Sequence, residues 1–211
     1  MVIRQGCLIS LDGLDASGKS TQCRLLAEHF RSLGKTTCLC QDPGSTELGR
    51  ILRQILLHHP NELCRMSEAA MFMAARAQMI SEVILPALER NEMVVCDRFV
   101  LATIAYQGYG SGLEIAGLRE ATRFATGGLL PDFSIVLDLP VSSARARLGS
   151  DPDRLERRSH EFHQRVREGF LAEAKLDLER ICVINADTSA DLVFKSVIQA
   201  IANWEVRRAM V

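Results

Sequence analysis

No stretch of this chain approaches the roughly 18–20 apolar residues that a bilayer-crossing helix needs, so no membrane partner is expected. An excess of either charge is missing as well. The 25 basic and 26 acidic side chains leave a formal charge of −1, which gives no electrostatic ground for a nucleic-acid partner. The cysteines form no C-x-x-C pair, and His29, His58, His59, His160 and His163 have no zinc-like company, so no structural metal site is expected. Cys7, Cys38, Cys40, Cys96 and Cys182 fall in apolar runs, where thiols behave as small buried hydrophobes rather than disulfide halves. The opening Met1-Val-Ile-Arg-Gln-Gly6 has no charged-then-apolar signal design and leads straight into an apolar run, so a cytoplasmic location is expected. No repeat, low-complexity tract or interdomain linker appears. Residues 1–211 are expected to form a single domain, with 47% hydrophobic residues to fill one α/β core and carry a lid.

What is present is more specific. Gly13-Leu14-Asp15-Ala16-Ser17-Gly18-Lys19-Ser20 fits the phosphate-loop pattern G-x-x-x-x-G-K-[ST] at every specified position. Gly13 and Gly18 let the backbone turn tightly and bring its N–H groups against phosphates. Lys19 supplies positive charge to the β- and γ-phosphates, and the Ser20 hydroxyl is a Mg²⁺ ligand. The apolar run Cys7–Leu11 before the motif reads as a buried parallel strand. Leu25, Leu26 and Phe30 after it have helical spacing, which puts the loop at a helix N-terminus whose dipole favours anions. Nucleotide binding by Gly13 to Thr21 follows.

Short apolar runs alternate with helical patterns along the chain, which argues for a parallel sheet with crossover helices. Strands are expected at Cys7–Leu11, Thr37–Gln41, Met93–Cys96, Ser134–Leu137 and Ile181–Ile184. Helices are expected at Lys19–Leu33, Thr46–Leu57, Ser67–Arg90, Leu113–Phe124, His160–Leu176 and Leu192–Arg207, with Gly34 closing the first and His58-His59 ending the second. Pro86 implies either a kink or a break in the third. The segment from Pro140 to Ser159 carries Arg145, Arg147, Arg154, Arg157 and Arg158 with three acids and two leucines among charged or glycine neighbours. It reads equally as a mobile charged flap or as a solvated surface helix.

Met93-Val-Val-Cys-Asp97 is an apolar strand ending in an acid. At the carboxyl end of a strand beside the phosphate strand, Asp97 can reach Mg²⁺ or its waters. Asp12, just before Gly13, is a second acid at the same sheet edge, suited to a metal-bound water, an acceptor phosphate or a local turn hydrogen bond. No N-K-x-D run for guanine recognition is present, and no sensor or signature segment of a motor or transporter ATPase. A small kinase remains.

The blocks Leu11 to Thr21, Asp42-Pro-Gly-Ser-Thr46 with Leu52-Arg53, Phe72-Met-Ala-Ala-Arg76, Asp97-Arg98-Phe99, Ala105-Tyr-Gln-Gly108, Asp153-Arg-Leu-Glu156 and Phe162 to Phe170 together resemble the thymidylate kinase family, bacterial type, in its own order. The resemblance implies an α/β, three-layer phosphate-loop kinase fold: an about five-stranded parallel sheet flanked by helices, with a short arginine-rich lid at about 140–159. It implies phosphorylation of dTMP to dTDP with ATP and Mg²⁺, and a homodimer. Phe72 would stack on thymine and Arg76 bond the base edge. Arg53 and Arg98 would grip the acceptor phosphate, where a planar guanidinium fork suits phosphate oxygens. Tyr106 would pack where a 2′-hydroxyl would otherwise fit, with Gln107 and Thr103 as lesser contacts. Ser20 and Asp97 would serve the metal.

Departures from the family pattern concentrate around the acceptor. Gln41-Asp42 stands where the family has Arg-Glu, Phe99 replaces a tyrosine, Ala102 a serine, Ser111 a basic residue, and Gly149 a lid arginine. Some members carry an arginine inside the phosphate loop, where this chain has Ala16. Transition-state charge would then come from Arg147 or Arg145, with Arg154 a further candidate. The remaining alternatives are a kinase of another small nucleoside or nucleotide, a nucleotide-binding module without turnover and, disfavoured by net charge, a nucleic-acid motor.

Overall fold

The computed structural model describes residues 6–209. β1 (Cys7–Gly13), β2 (Thr37–Gln41), β3 (Met93–Asp97), β4 (Phe133–Asp138) and β5 (Ile181–Asn185) form one parallel sheet in the order β2-β3-β1-β4-β5. Each strand lies on the apolar run that predicted it. β1, β3 and β4 read as continuous apolar runs because helices cover both faces of the sheet and leave neither solvated. Leu11 pairs with Asp97 and Gly13 with Leu137, so the carboxyl ends of β1, β3 and β4 finish along one edge. The order turns around β1, with β3 on one side and β4 on the other. That is where an open α/β sheet leaves a ligand crevice.

The helices are α1 (Lys19–Ser32), α2 (Glu47–His58), α3 (Arg65–Met79), α4 (Leu85–Glu89), α5 (Val100–Thr103), α6 (Ile115–Ala125), α7 (Val141–Arg147), α8 (His160–Leu176) and α9 (Ala190–Ala209). Gly34, at φ 77°, ends α1 as a left-handed residue. The Thr46 hydroxyl caps α2, accepting from the Gly49 N–H at 2.9 Å. One face of the sheet is covered through Leu26 and Phe30 of α1, Val166 and Phe170 of α8 and Val197 and Trp204 of α9, with Trp204 stacked on Phe133 at 5.2 Å. The other is covered by Met79, Ile84 and Leu88.

Three departures from the sequence reading have clear physical causes. Pro86 does not break its helix: α3 runs into a wider π-helical turn, Ile80–Ile84, and then α4. That turn takes up the mismatch where Pro86 cannot donate a backbone bond. The joined helix, Arg65–Glu89, is 25 residues long with a mean hydropathy of 1.3 over its most apolar stretch, so by length and composition it could cross a membrane, against the expectation. In the fold 39% of that stretch is buried, and the helix holds the buried Glu68 and Arg76. Second, Val100–Gly110 is helical, α5 followed by a π-helical Ile104–Gly110, where no helix was expected. Almost every residue there is buried, so no polar face marks a helical period. Third, the segment from Pro140 divides: α7 is a short helix with Arg145 and Arg147 exposed, and the remainder to Ser159 is turns.

The π-helical Ile104–Gly110 lies against α8 at very close range, and two glycines permit it. A Cβ on Gly110 would stand 2.6 Å from Phe162, and one on Gly169 would stand 2.6 Å from the Tyr109 ring. This contact sets the position of Tyr106, which also meets Phe162 and Phe170 edge-on. Gly169→Ala should therefore cost about 1–3 kcal/mol through overpacking, seen as a lower urea midpoint at unchanged slope.

Candidate active site

β1 delivers the chain into the phosphate loop at Gly13, whose φ of 137° suits glycine and whose Cβ, if present, would lie 2.5 Å from the Leu137 carbonyl. Ala16 (φ 59°) and Gly18 (φ 92°) are also left-handed, so the loop winds back before α1 begins at Lys19. Lys19 is buried, and its Nζ donates to the Leu14 carbonyl at 2.5 Å and to Ser17 Oγ at 3.4 Å. Burial, aided by Arg98, lowers its pKa to about 8 against the pull of Asp15, Asp97 and Asp12. The Ser20 hydroxyl donates to Asp97 Oδ2 at 2.5 Å. The loop, the lysine and the Ser20–Asp97 oxygen pair thus meet at the sheet edge, while Thr21 sits exposed on the first turn of α1.

Asp12 is fully buried and spends its carboxylate locally, accepting from Ser10 Oγ at 2.9 Å and from the Phe99 N–H at 3.2 Å. Burial raises its pKa. Those are the bonds of a turn clamp, the local hydrogen-bonding role that the sequence left open for Asp12 beside a metal-bound water or the acceptor phosphate. Asp12 holds the turn that presents Arg98, itself left-handed at φ 68°. Strain of this kind persists only where surrounding contacts impose it. Arg98 donates to the Gly13 carbonyl at 2.9 Å, pairs with Asp15 and lies 5.0 Å above the Tyr106 ring. Tyr106 completes the triangle, its hydroxyl donating to Asp15 Oδ2 at 2.7 Å. Burial pushes the Asp15 carboxyl up, but Arg98, Lys19 and the Tyr106 bond together outweigh it and hold the pKa at about 2.

Beyond Arg98 lies a pocket of about 60 Å³, open to solvent, walled by Asp15, Asp42, Arg53, Phe72, Arg76, Thr103, Tyr106 and Gln107. Every residue expected at the acceptor is brought together there. Arg76 is fully buried: its Nε donates to Asp42 at 2.5 Å, and its Nη2 to Thr103 Oγ1 at 2.8 Å and the Phe99 carbonyl at 3.2 Å. Arg76 Nη1 and Asp42 Oδ1, both buried, have no partner among the described residues. Arg53 reaches the Pro43 carbonyl at 3.0 Å. Gln107 turns its amide to Glu68 Oε1 at 3.0 Å.

The lid arginines stay outside this cluster. Arg147 donates to the Ala186 carbonyl at 3.3 Å and faces Asp187 at 3.5 Å, and Arg145 is exposed. Arg154 is tied to the Leu56 carbonyl at 2.8 Å and to Glu68 at 2.6 Å. Residues absent from the sequence reading of the site are the Asp15 side chain, Asp42, Glu68, Arg158, Leu57, Asp153 and Leu155. Leu155, expected among solvated neighbours, is buried in the pocket wall. A signal for Glu68 existed: positions 68, 72 and 76 share one helix face at intervals of four.

Comparison with known proteins agrees with this geometry. Residues 11–197 match the family profile described as thymidylate kinase. The thymidylate kinase of Kosmotoga olearia is 40% identical over 193 residues, covering 90% of this chain and 93% of that protein. That of Pelotomaculum thermopropionicum is 42% identical over 200 residues, covering 93% of each. The crystal structure of thymidylate kinase from Ehrlichia chaffeensis superposes with a TM-score of 0.78 at 31% identity, over 93% of this chain and 99% of that one.

The depressed Lys19 pKa has a measurable consequence. Between about 8 and the ordinary 10.5 the folded state binds fewer protons than the unfolded state, so this group's contribution to stability rises with pH across that window and is least below it. Lys19→Met should stabilise the fold near pH 7 by about 1–3 kcal/mol, less than the full shift because the nearby carboxylates lose a partner. In paired urea denaturations that gain should shrink as pH rises through the same window.

Proposed function

The chain belongs to the thymidylate kinase family, and from that premise we propose that it transfers the γ-phosphoryl group of ATP to dTMP, giving ADP and dTDP. The observation that carries the reading is a buried pair with complementary vacancies. Arg76 Nη1 is a donor and Asp42 Oδ1 an acceptor, each without a partner among the described residues, beside Phe72 in a pocket that shares Arg98 with the phosphate loop. A pyrimidine edge that both accepts and donates would satisfy them, which removes the cost of leaving buried polar groups unpaired. Phe72 would stack on the ring, and Thr103 steadies Arg76. Tyr106 would sit against the sugar, with Gln107 beside it. Arg98 and Arg53 would hold the acceptor phosphate.

Residues 13–21 would cradle the donor, with Lys19 leaving the Leu14 carbonyl for the phosphate oxygens. Mg²⁺ fits the residues present: Ser20 and Asp97 offer two hard oxygens side by side, and this ion ordinarily takes few protein ligands and completes its sphere with water and phosphate. Bound there, it would neutralise charge on the transferring group. The work left to the protein is positioning and electrostatics. Asp97 orients Ser20, Asp15 holds Arg98 and Tyr106 in line with the loop, and a lid arginine adds charge as the phosphoryl group moves. We read residues 1–211 as a single cytoplasmic kinase domain with its lid in 140–159. We also read it as a homodimer, which the exposed Leu48, Ile51 and Ile55 along one face of α2 support.

The deciding experiment is ADP release with dTMP, dUMP, UMP, CMP and thymidine. Turnover should be highest with dTMP and lower with dUMP by roughly 10–200-fold, the worth of one methyl in an apolar pocket. UMP should be poorer still, because its 2′-hydroxyl meets Tyr106. UMP phosphorylated as well as dTMP would overturn the reading.

The lid role is tested separately. Arg147→Ala should lower kcat by about 10³-fold while leaving dTMP and ATP binding nearly unchanged, as for a group engaged only in the transition state. Arg145→Ala is the second choice, and a double mutant with normal kcat would remove both from the mechanism.

A further inference from the structure

Glu68 is on α3, its side chain wholly buried, and its one carboxylate takes three charged or polar donors. Gln107 Nε2 reaches Oε1 at 3.0 Å, while Arg154 Nη2 and Arg158 Nη2 reach Oε2 at 2.6 and 2.7 Å. Both arginines belong to the irregular stretch between α7 and α8. Each has a further anchor. Arg154 bonds the Leu56 carbonyl, and Arg158 bonds Ser111 Oγ at 2.7 Å and lies 4.6 Å above the Phe162 ring. The backbone N–H of Arg154 also donates to the Leu57 carbonyl at 3.0 Å. Asp153 and Leu155, on either side of Arg154, form part of the acceptor pocket wall.

On that side the lid stretch bounds the pocket, which is about 60 Å³ and open to solvent. Its other walls come from the sheet edge, α2, α3, α5 and the π-helical Ile104–Gly110, whereas the lid stretch is held chiefly by polar contacts. Glu68 alone among these contacts offsets two guanidinium charges at once. Without its charge, Arg154 and Arg158 would repel each other in a half-buried setting where screening is weak.

We propose that Glu68 is a positioning residue that latches residues 148–158 against the acceptor pocket through Arg154 and Arg158, and so sets acceptor affinity rather than the chemical step. The inference rests on the acceptor reading of the pocket given above. Glu68→Gln keeps the shape and an acceptor for Gln107 but removes the charge. It should raise KM for dTMP roughly tenfold or more, the scale of one lost charge-assisted hydrogen bond, while KM for ATP and kcat stay within about threefold. Trypsin should cut after Arg154 and Arg158 faster in the variant than in wild type, at a nearly unchanged melting temperature.

An unchanged KM for dTMP with an unchanged cleavage rate would overturn the proposal. So would a parallel loss in kcat and both KM values with a lowered melting temperature, which marks a merely structural role. Should Glu68→Gln fail to fold, Arg158→Gln takes its place, since it leaves Glu68 paired with Arg154 and Gln107. It should raise KM for dTMP and quicken cleavage after Arg154, and no change in either would equally refute the latch. Wild-type protein without activity on dTMP would defeat the acceptor reading alone, and the trypsin comparison would still decide whether Glu68 holds the lid.

Discussion

The ion pair between Arg98 and Asp15 joins the two turns from which the site is built, one after β3 and one after β1. Its partners reach the same bond by different routes. Asp15 is offered by the left-handed winding of the phosphate loop, and Arg98 by a left-handed backbone that Asp12 clamps from below. Because Arg98 also touches the Gly13 carbonyl and the Tyr106 ring, the phosphate-loop motif and the pocket share one corner. In-line phosphoryl transfer depends on that relation, since misplacement by about 1 Å can cost 10²-fold in rate.

Deeper in the pocket the chain accepts an expensive arrangement. Burying Arg76 against Asp42 adds little to stability, because desolvation offsets most of the attraction. What the pair supplies is a fixed direction: two sides of the guanidinium are committed to Asp42, Thr103 and the Phe99 carbonyl, and Nη1 is left over. Burial pushes the Asp42 carboxyl up while Arg76 pulls it down. Glu68, about two helical turns away, is a second buried carboxylate, paired with Arg154 and Arg158. Polar groups thus hold the site, and apolar packing between the sheet and its helices holds the fold.

Much of this was legible in the residues. Short apolar runs marked all five strands, continuously buried in β1, β3 and β4 because helices cover both faces there, and Gly34 marked a helix end by its left-handed backbone. Phe72 and Arg76 were readable as one helix face, and Lys19, Ser20 and Asp97 as residues that meet at one edge of the sheet. The helix at Val100–Gly110 was not readable, since burial on all sides erases the polar face that periodicity needs. Nor were the lid contacts: charge pattern alone shows that five arginines are present between Pro140 and Ser159 but not which acids they meet.

The sequence by itself therefore determined the five strands, most of the helices between them, the phosphate-loop motif and half of the pocket side chains, because these follow from local spacing and backbone permissiveness. Tertiary structure decided the rest. It turned Asp12 into a turn clamp and Asp15 into a bridge, placed Asp42 against Arg76 across 34 positions, and drew Arg154 and Arg158 to Glu68 across 86 and 90. Such pairings join residues remote in the chain, and only the packed sheet and helices bring their charges within reach of one another.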